Sequence, residues 1–157
     1  MKEQADLSRL STRRAVRQDL PRLLELIADD DLGKNREGVG SEDACYAEAF
    51  ERITADDNQF LMVAEMDGRI IAMQQVTFIP GLSRKGATRA MIESVRVEGY
   101  LRGQGIGHWF IEQAIQLARE RGCQLVQLTS DKKRIQAHRF YGSMGFTASH
   151  EGFKLQL

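Results

Sequence analysis

The sequence predicts an α/β domain built on a mixed sheet, and three observations carry that reading. Apolar residues recur at helical spacing in two stretches, at Leu20, Leu23, Leu24 and Ile27 and again at Ile106, Phe110, Ala114, Leu117 and Ala118. Between them the period changes to that of strands, in 60–66 and 69–78, with Asp67-Gly68 between the two as a hairpin turn. Finally, a strand at 89–97, a long helix and a second strand at 123–129 make a βαβ unit, whose strands run parallel through a right-handed crossover.

The remaining elements follow in order. Residues 1–12 read as a polar tail and 13–157 as a single domain, since no repeat and no Pro/Gly/Ser-rich stretch divides the chain. A short strand is predicted over 13–17. Asp19 is placed to cap the next helix and Pro21 to sit in its first turn. That helix ends in Asp29-Asp30-Asp31. Ser41 opens a second helix whose apolar side holds Ala44, Cys45, Ala47, Ala49, Phe50 and Ile53. In the strand at 89–97, Met91, Glu93, Val95 and Val97 share a face by simple alternation. A long helix over 104–121 closes at Gly122, a short helix over 135–144 closes at Gly145, and 146–157 supplies a final strand or hairpin.

Composition narrows the function. The 157 residues are 42% hydrophobic and 28% charged with a formal net charge of zero, which disfavours a sequence-independent nucleic-acid binder. The N-terminus lacks the apolar stretch of a secretory signal, and no apolar run approaches the ~20 residues that span a bilayer. A cytoplasmic protein is expected, with no membrane partner. Its two cysteines, Cys45 and Cys123, are read as reduced buried thiols.

The most informative segment is Tyr100-Leu101-Arg102-Gly103-Gln104-Gly105-Ile106-Gly107-His108, where glycines alternate as a strand feeds a helix. Lacking Cβ atoms, the glycines let an anion approach the backbone. The first N–H groups of the helix are unpaired, and the helix dipole adds positive potential there. Arg102 adds a cation suited to phosphate. The dinucleotide fingerprint fails because His108 stands where its last glycine belongs, and the triphosphate loop fails for want of Gly-Lys-Ser/Thr. On local chemistry alone, a tight turn with glycines for packing remains the alternative.

These residues resemble the GNAT N-acetyltransferases. Arg102, Gly105 and Gly107 match that family's pattern of Gln or Arg, two residues, Gly, one residue, then Gly or Ala. Upstream, 92–97 (Ile-Glu-Ser-Val-Arg-Val) resembles the family's fourth strand. Downstream, Ala137-His138-Arg139-Phe140-Tyr141 with Gly145-Phe146 resembles its Ala-x-x-Phe/Leu-Tyr…Gly-Phe signature. The resemblance covers nearly the whole chain. It implies the GNAT-type acyl-CoA N-acyltransferase fold, with a mixed, mostly antiparallel sheet of about six to seven strands and about four flanking helices. It further implies that the sheet splays between its fourth and fifth strands and that the pantetheine arm of acetyl-CoA, the cosubstrate, lies in the gap. Backbone groups of Val95 and Val97 would bond that arm, and the N–H groups of Arg102, Gly103, Gln104, Gly105, Ile106, Gly107 and His108 would cradle the pyrophosphate. Many members carry Asn where this chain has Arg134, so that contact does not transfer. Lys132, Lys133 and Arg134 either meet the ribose phosphate or form a solvated basic loop.

Acetyl transfer to an amine requires removing a proton from the amine, stabilising charge on the carbonyl oxygen and neutralising the departing thiolate. Glu93 is the candidate base, on the strand flanking the reacting carbonyl; the competing reading is an acid that serves a sheet face or an arginine. A backbone N–H near Val95 would meet the oxyanion. Tyr141 is the candidate acid, on the family's pattern; the alternative is a ring packing beside Phe140. His108, His138 and His150 have no metal spacing, so no metal is expected. Asp29, Asp30 and Asp31 either attract a cationic acceptor or end a helix in solvent. The expected activity is acetylation of a primary amine on a small molecule, by direct transfer in a ternary complex. The alternatives are a protein N-terminal or lysine acetyltransferase and a regulatory acetyl-CoA-binding module with little turnover. Homodimers are common in the family, and an exposed strand in 146–157 could support one.

Overall fold

Asp67 and Gly68 both adopt left-handed backbone conformations, φ 51° and 78°, the geometry a two-residue hairpin turn demands. They join β2 (Gln59–Met66) to β3 (Arg69–Pro80) in an antiparallel pair that closes at Met66 opposite Arg69. The computed structural model describes residues 4–29 and 44–157. Its sheet runs in the order β1-β2-β3-β4-β5, adding β1 (Leu10–Arg14), β4 (Thr88–Val97) and β5 (Leu125–Leu128). The pairs are antiparallel as far as β4; β4 and β5 are parallel, as the βαβ reading requires.

Helices cover both faces. On one side α1 (Leu20–Ala28) and α2 (Ala44–Ala55) bury Leu20, Leu23, Leu26 and Phe50 against Leu61, Val63, Ile70 and Met73. On the other, α3 (Ile106–Glu120) lays Ile106, Phe110, Ile111, Ala114 and Ala118 on Ala72, Val76, Phe78, Ala90 and Ile92. The short α4 (Ile135–Ser143) follows β5 and adds Phe140 and Tyr141 to the rim of this second cluster. Stripes of this width drive assembly because each large apolar side chain removed from water contributes roughly 1.5–3 kcal/mol.

Four expectations are corrected. The first strand lies at Leu10–Arg14 rather than 13–17, because Val16 turns away to donate its N–H to Asp19 Oδ2 at 2.8 Å. Asp19 therefore caps the short 3₁₀ turn Arg17–Asp19 and makes no side-chain cap to α1, though Pro21 does sit in the first turn of that helix. The sheet has five strands among the described residues, not six to seven, because 146–157 forms neither strand nor hairpin and pairs with nothing in its own chain. The alternation assumed along β4 is broken by a bulge, described below. Ser41, Asp30 and Asp31 lie outside the described residues.

Candidate active site

The pairing of β4 with β5 covers Arg89 to Ile92 against Leu125 to Leu128 and goes no further. Glu93 to Val97 therefore have β3 on one side and no described strand on the other, so a seam opens between β4 and the edge strand β5. At the same point β4 bulges. Glu93 pairs with Gln75 and Arg96 with Met73, so Gln74 faces both Ser94 and Val95. Ser94 takes φ 53°, a left-handed conformation uncommon for a residue with a Cβ.

The bulge resets which side chains share a face. Ala90, Ile92 and Val97 lie on the α3 side, whereas Glu93 and Arg96 follow Gln75 and Met73 to the α1–α2 side. Val95 packs with the α3-side cluster, so Glu93 does not share a face with Val95 and Val97. The polar pair Glu93-Ser94 inside an apolar run was the only sign of this in the sequence. Arg96 and Gln74 are the residues that sequence reasoning passed over.

At the end of the seam the chain makes a 3₁₀ turn, Gly99–Leu101, and enters α3. Gly105 precedes the helix at φ 87°, a conformation that favours glycine, and a Cβ there would point into open space. Among the described residues, no protein group accepts from the N–H groups of Gly103, Gln104, Gly105, Ile106, Gly107 or His108; the helix ladder begins with Trp109 donating to Gly105 O at 3.1 Å. Arg102 behaves differently. Its own N–H goes to Gly99 O, its Nε donates to Val97 O at 3.0 Å, and its Nη2 lies 3.3 Å from Asp29 Oδ2. The guanidinium thus ties the glycine turn to the end of β4 and to α1. Asp29, expected on the acceptor side, is found at this turn, where its Oδ2 is 3.0 Å from the place a Cβ on Gly99 would take.

The Glu93 carboxylate is exposed and makes no hydrogen bond or ion pair with a described residue. Tyr141 is half-buried, its ring edge-on to Phe140 at 5.1 Å and to Phe146 at 5.9 Å. Burial pushes its phenol above the usual value, while the positive charges of Arg134 and Arg96 pull the other way. Both arginines therefore lie within electrostatic reach of Tyr141. Phe140 in turn packs on the turn, with Cζ 3.6 Å from where a Cβ on Gly107 would sit. Gln74, fully buried beneath the bulge, donates from Nε2 to Phe110 O at 2.8 Å and so ties α3 to the sheet. Burial raises the Cys123 thiol above its usual value, the opposite of an activated nucleophile. Among the described residues no group of three His, Cys, Asp or Glu side chains could hold a metal, and no helix is long and apolar enough to cross a membrane.

The candidate site is therefore the open seam beside β4 together with the unpaired amides that follow it at the start of α3. The profile of the Acetyltransferase (GNAT) family matches residues 20–146, and the chain belongs to that family. A solved transcriptional regulator from Bacillus halodurans C-125 is 45% identical, with a TM-score of 0.90 over 94% of this chain and 99% of that one. The glucosamine 6-phosphate N-acetyltransferase of Trypanosoma brucei brucei is 32% identical over 90 residues, 57% of this chain and 59% of that protein. The aminoalkylphosphonate N-acetyltransferase of Salmonella typhimurium LT2 is 42% identical over 53 residues, 34% of each chain. The chain thus spans 59% and 34% of the lengths of these two curated relatives.

Proposed function

We propose that this protein transfers the acetyl group of acetyl-CoA directly to the primary amine of a small molecule that also carries a phosphate or phosphonate. The observation that carries the reading is the end of β4–β5 pairing at Ile92 and Leu128, where a thioester arm would find bare strand. The unpaired amides from Gly103 to His108 are suited to its pyrophosphate, with the start of α3 adding favourable potential. The N–H of Arg102 is spent on Gly99, so the cradle begins one residue later than the motif implies. Val95 and Val97 line the open seam from β4, although the Val97 carbonyl already accepts from Arg102.

The chemistry is assigned to residues on β4 and α4. Glu93, exposed and without an ion-pair partner, takes the proton the amine loses as its nitrogen bonds the carbonyl carbon. A backbone N–H beside the Ser94–Val95 bulge donates to the oxygen that gains charge. Tyr141, kept protonated by burial, gives its proton to sulfur as the carbon–sulfur bond breaks. Arg96, on the same side of the sheet as Glu93, is the cation for the acceptor's phosphorus oxyanion. Both curated relatives are named for amines of that kind. Free Cys45 and Cys123, together with dependence on acetyl-CoA, fit the cytoplasm.

Thiol release measured across phosphorylated amino sugars, aminoalkylphosphonates, plain amines and peptide N-termini tests the reading. Glu93→Gln lowers kcat by about 10²-fold or more if the carboxylate is the base; an unchanged rate at neutral pH removes it from that role. Turnover of peptides alone would move the protein to the protein-acetylating alternative. A second reading, a regulatory module that binds acetyl-CoA with little turnover, draws support from the Bacillus relative named as a transcriptional regulator. Saturable acetyl-CoA binding with no thiol release from any amine would favour it.

A further inference from the structure

Among the described residues two polar side chains are buried, Asp19 and Gln74. Asp19 is well partnered, by Arg13 and by the N–H of Val16. Gln74 is not. It lies on the α3 side of β3, between Ala72 and Val76, where alternation asks for a third apolar residue. Its Nε2 donates to Phe110 O at 2.8 Å and also reaches Met62 Sδ at 3.3 Å, while its Oε1 meets no donor from a described residue. An apolar side chain of the same length would fill this place without stranding an acceptor. The best-attested use of a polar group kept in a core at such a cost is to fix a register that apolar contacts leave loose.

The amide joins the two ends of the candidate site. At its backbone end Gln74 stands opposite Ser94 and Val95, the bulge beside which the seam opens. At its side-chain end it holds the carbonyl of Phe110, about one turn into α3 from the unpaired amides of Gly103 to His108. Ile106, Phe110, Ile111, Ala114 and Ala118 also hold α3 to the sheet, but through apolar burial, which has no direction and tolerates a small slide. A hydrogen bond does not tolerate it, because its strength falls steeply with length and angle.

We propose that Gln74 is a positioning residue that sets the spacing between the amides opening α3 and the bulge in β4, so that acetyl-CoA anchored at the first arrives in register at the second. The inference rests on the reading of those two places as the diphosphate and thioester ends of one site, and adds what holds them at a fixed distance. Pinned at the amides and bonded along the seam, the arm of the cosubstrate has no free length with which to absorb a shift of the helix start. The shift is passed to the reacting carbonyl instead. Misplacement by about 1 Å is enough to cost on the order of 10²-fold in rate. A thioester that lacks the diphosphate has no such tie: acetylpantetheine seats itself on β4 wherever α3 stands.

Gln74→Met tests this, because it removes the amide and keeps the volume. Thiol release is followed with acetyl-CoA and with acetylpantetheine, on the best acceptor of the amine panel. In the variant kcat/KM for acetyl-CoA falls by about 10- to 100-fold, chiefly in kcat, while that for acetylpantetheine is unchanged. ADP, which reaches the amides alone, binds parent and variant with the same Kd by titration calorimetry. Where the parent uses acetylpantetheine too slowly to read, that comparison with ADP decides in its place. A variant that loses both thioesters alike, or loses ADP, shows only damage to the fold, and one that keeps its acetyl-CoA rate needs no such register; each overturns the proposal. In those cases the parent still turns over acetyl-CoA, and the reading of the seam and the amides stands. A parent that neither binds ADP nor releases thiol from acetyl-CoA removes that reading, and the proposal with it. Should Gln74→Met fail to fold, Gln74→Leu is read in the same way.

Discussion

The buried amide of Gln74 reaches from β3 to the carbonyl of Phe110 in α3, 2.8 Å away, directly beneath the point where β4 bulges. The side chain is wholly buried, and its Oε1 accepts no hydrogen bond from a described residue. One half of this amide thus links helix to sheet while the other half carries a desolvation cost. Gln74→Met keeps the volume and removes both terms, so its stability stays within about 1 kcal/mol of the parent. Gln74→Ala leaves a cavity and loses about 2–4 kcal/mol. Urea unfolding of the two variants checks this, and equal losses would show that the hydrogen bond rather than the packing matters.

Much of this architecture was legible before any coordinates, and the reasons are local. Asp67-Gly68 specified a hairpin because few dipeptides tolerate two left-handed residues in a row. The α3 stripe specified a helix lying on the sheet, and it does bury Ile106, Phe110, Ala114 and Ala118. What failed was whatever depended on which partner a group takes when several compete for it. The shift of β1 came from an Asp19 carboxylate that draws Val16 out of the strand, a competition invisible to alternation. The bulge at Ser94 moved Glu93 off the face of Val97, because period two holds only while each residue has one partner. Arg102 had the residue type for a phosphate, yet the Val97 carbonyl and Asp29 compete for its guanidinium. The segment 146–157 read as a strand or hairpin, but it pairs with no described strand.

The phenol of Tyr141 is raised above its usual value by burial, so it stays protonated through neutral and mildly alkaline pH. If it donates to the leaving thiolate, activity depends on the protonated form and falls as pH rises through the raised value. The alkaline limb of kcat/KM therefore lies above the ordinary tyrosine range near ~10. Tyr141→Phe lowers kcat and removes that limb together. A limb that persists unchanged in Tyr141→Phe belongs to another group.

Arg13 joins β1 to the turn before α1, with Nη1 2.7 Å from Asp19 Oδ2 and Nη2 2.8 Å from Glu65 Oε1. The guanidinium holds the Asp19 carboxyl below the usual carboxylate value. A carboxyl depressed on folding contributes stability above its unfolded pKa, near ~3.9, and that contribution is lost as pH falls through the folded value. Arg13→Gln therefore costs about 1–2 kcal/mol at neutral pH, discounted because the arginine is partly exposed. The gap between parent and variant narrows as pH falls toward and below that range. Thermal melts at several pH values check it, and a gap independent of pH would assign the loss to packing.

Gly105 concentrates the proposal for acetyl-CoA in a single backbone position. Its φ of 87° costs little for glycine, whereas an L-residue there pays on the order of 1–2 kcal/mol. No atom of a described residue lies within 4 Å of where a Cβ would project, so Gly105→Ala folds with a modest loss of stability. Gly105→Glu adds a carboxylate beside the unpaired amides from Gly103 to His108 and repels the diphosphate they are assigned. Calorimetric titration with acetyl-CoA then shows saturable binding for the parent, weakened binding for Gly105→Ala and none measurable for Gly105→Glu. A parent chain that takes up no CoA thioester, or a Gly105→Glu chain that binds it as the parent does, would leave the seam between β4 and β5 without its proposed ligand.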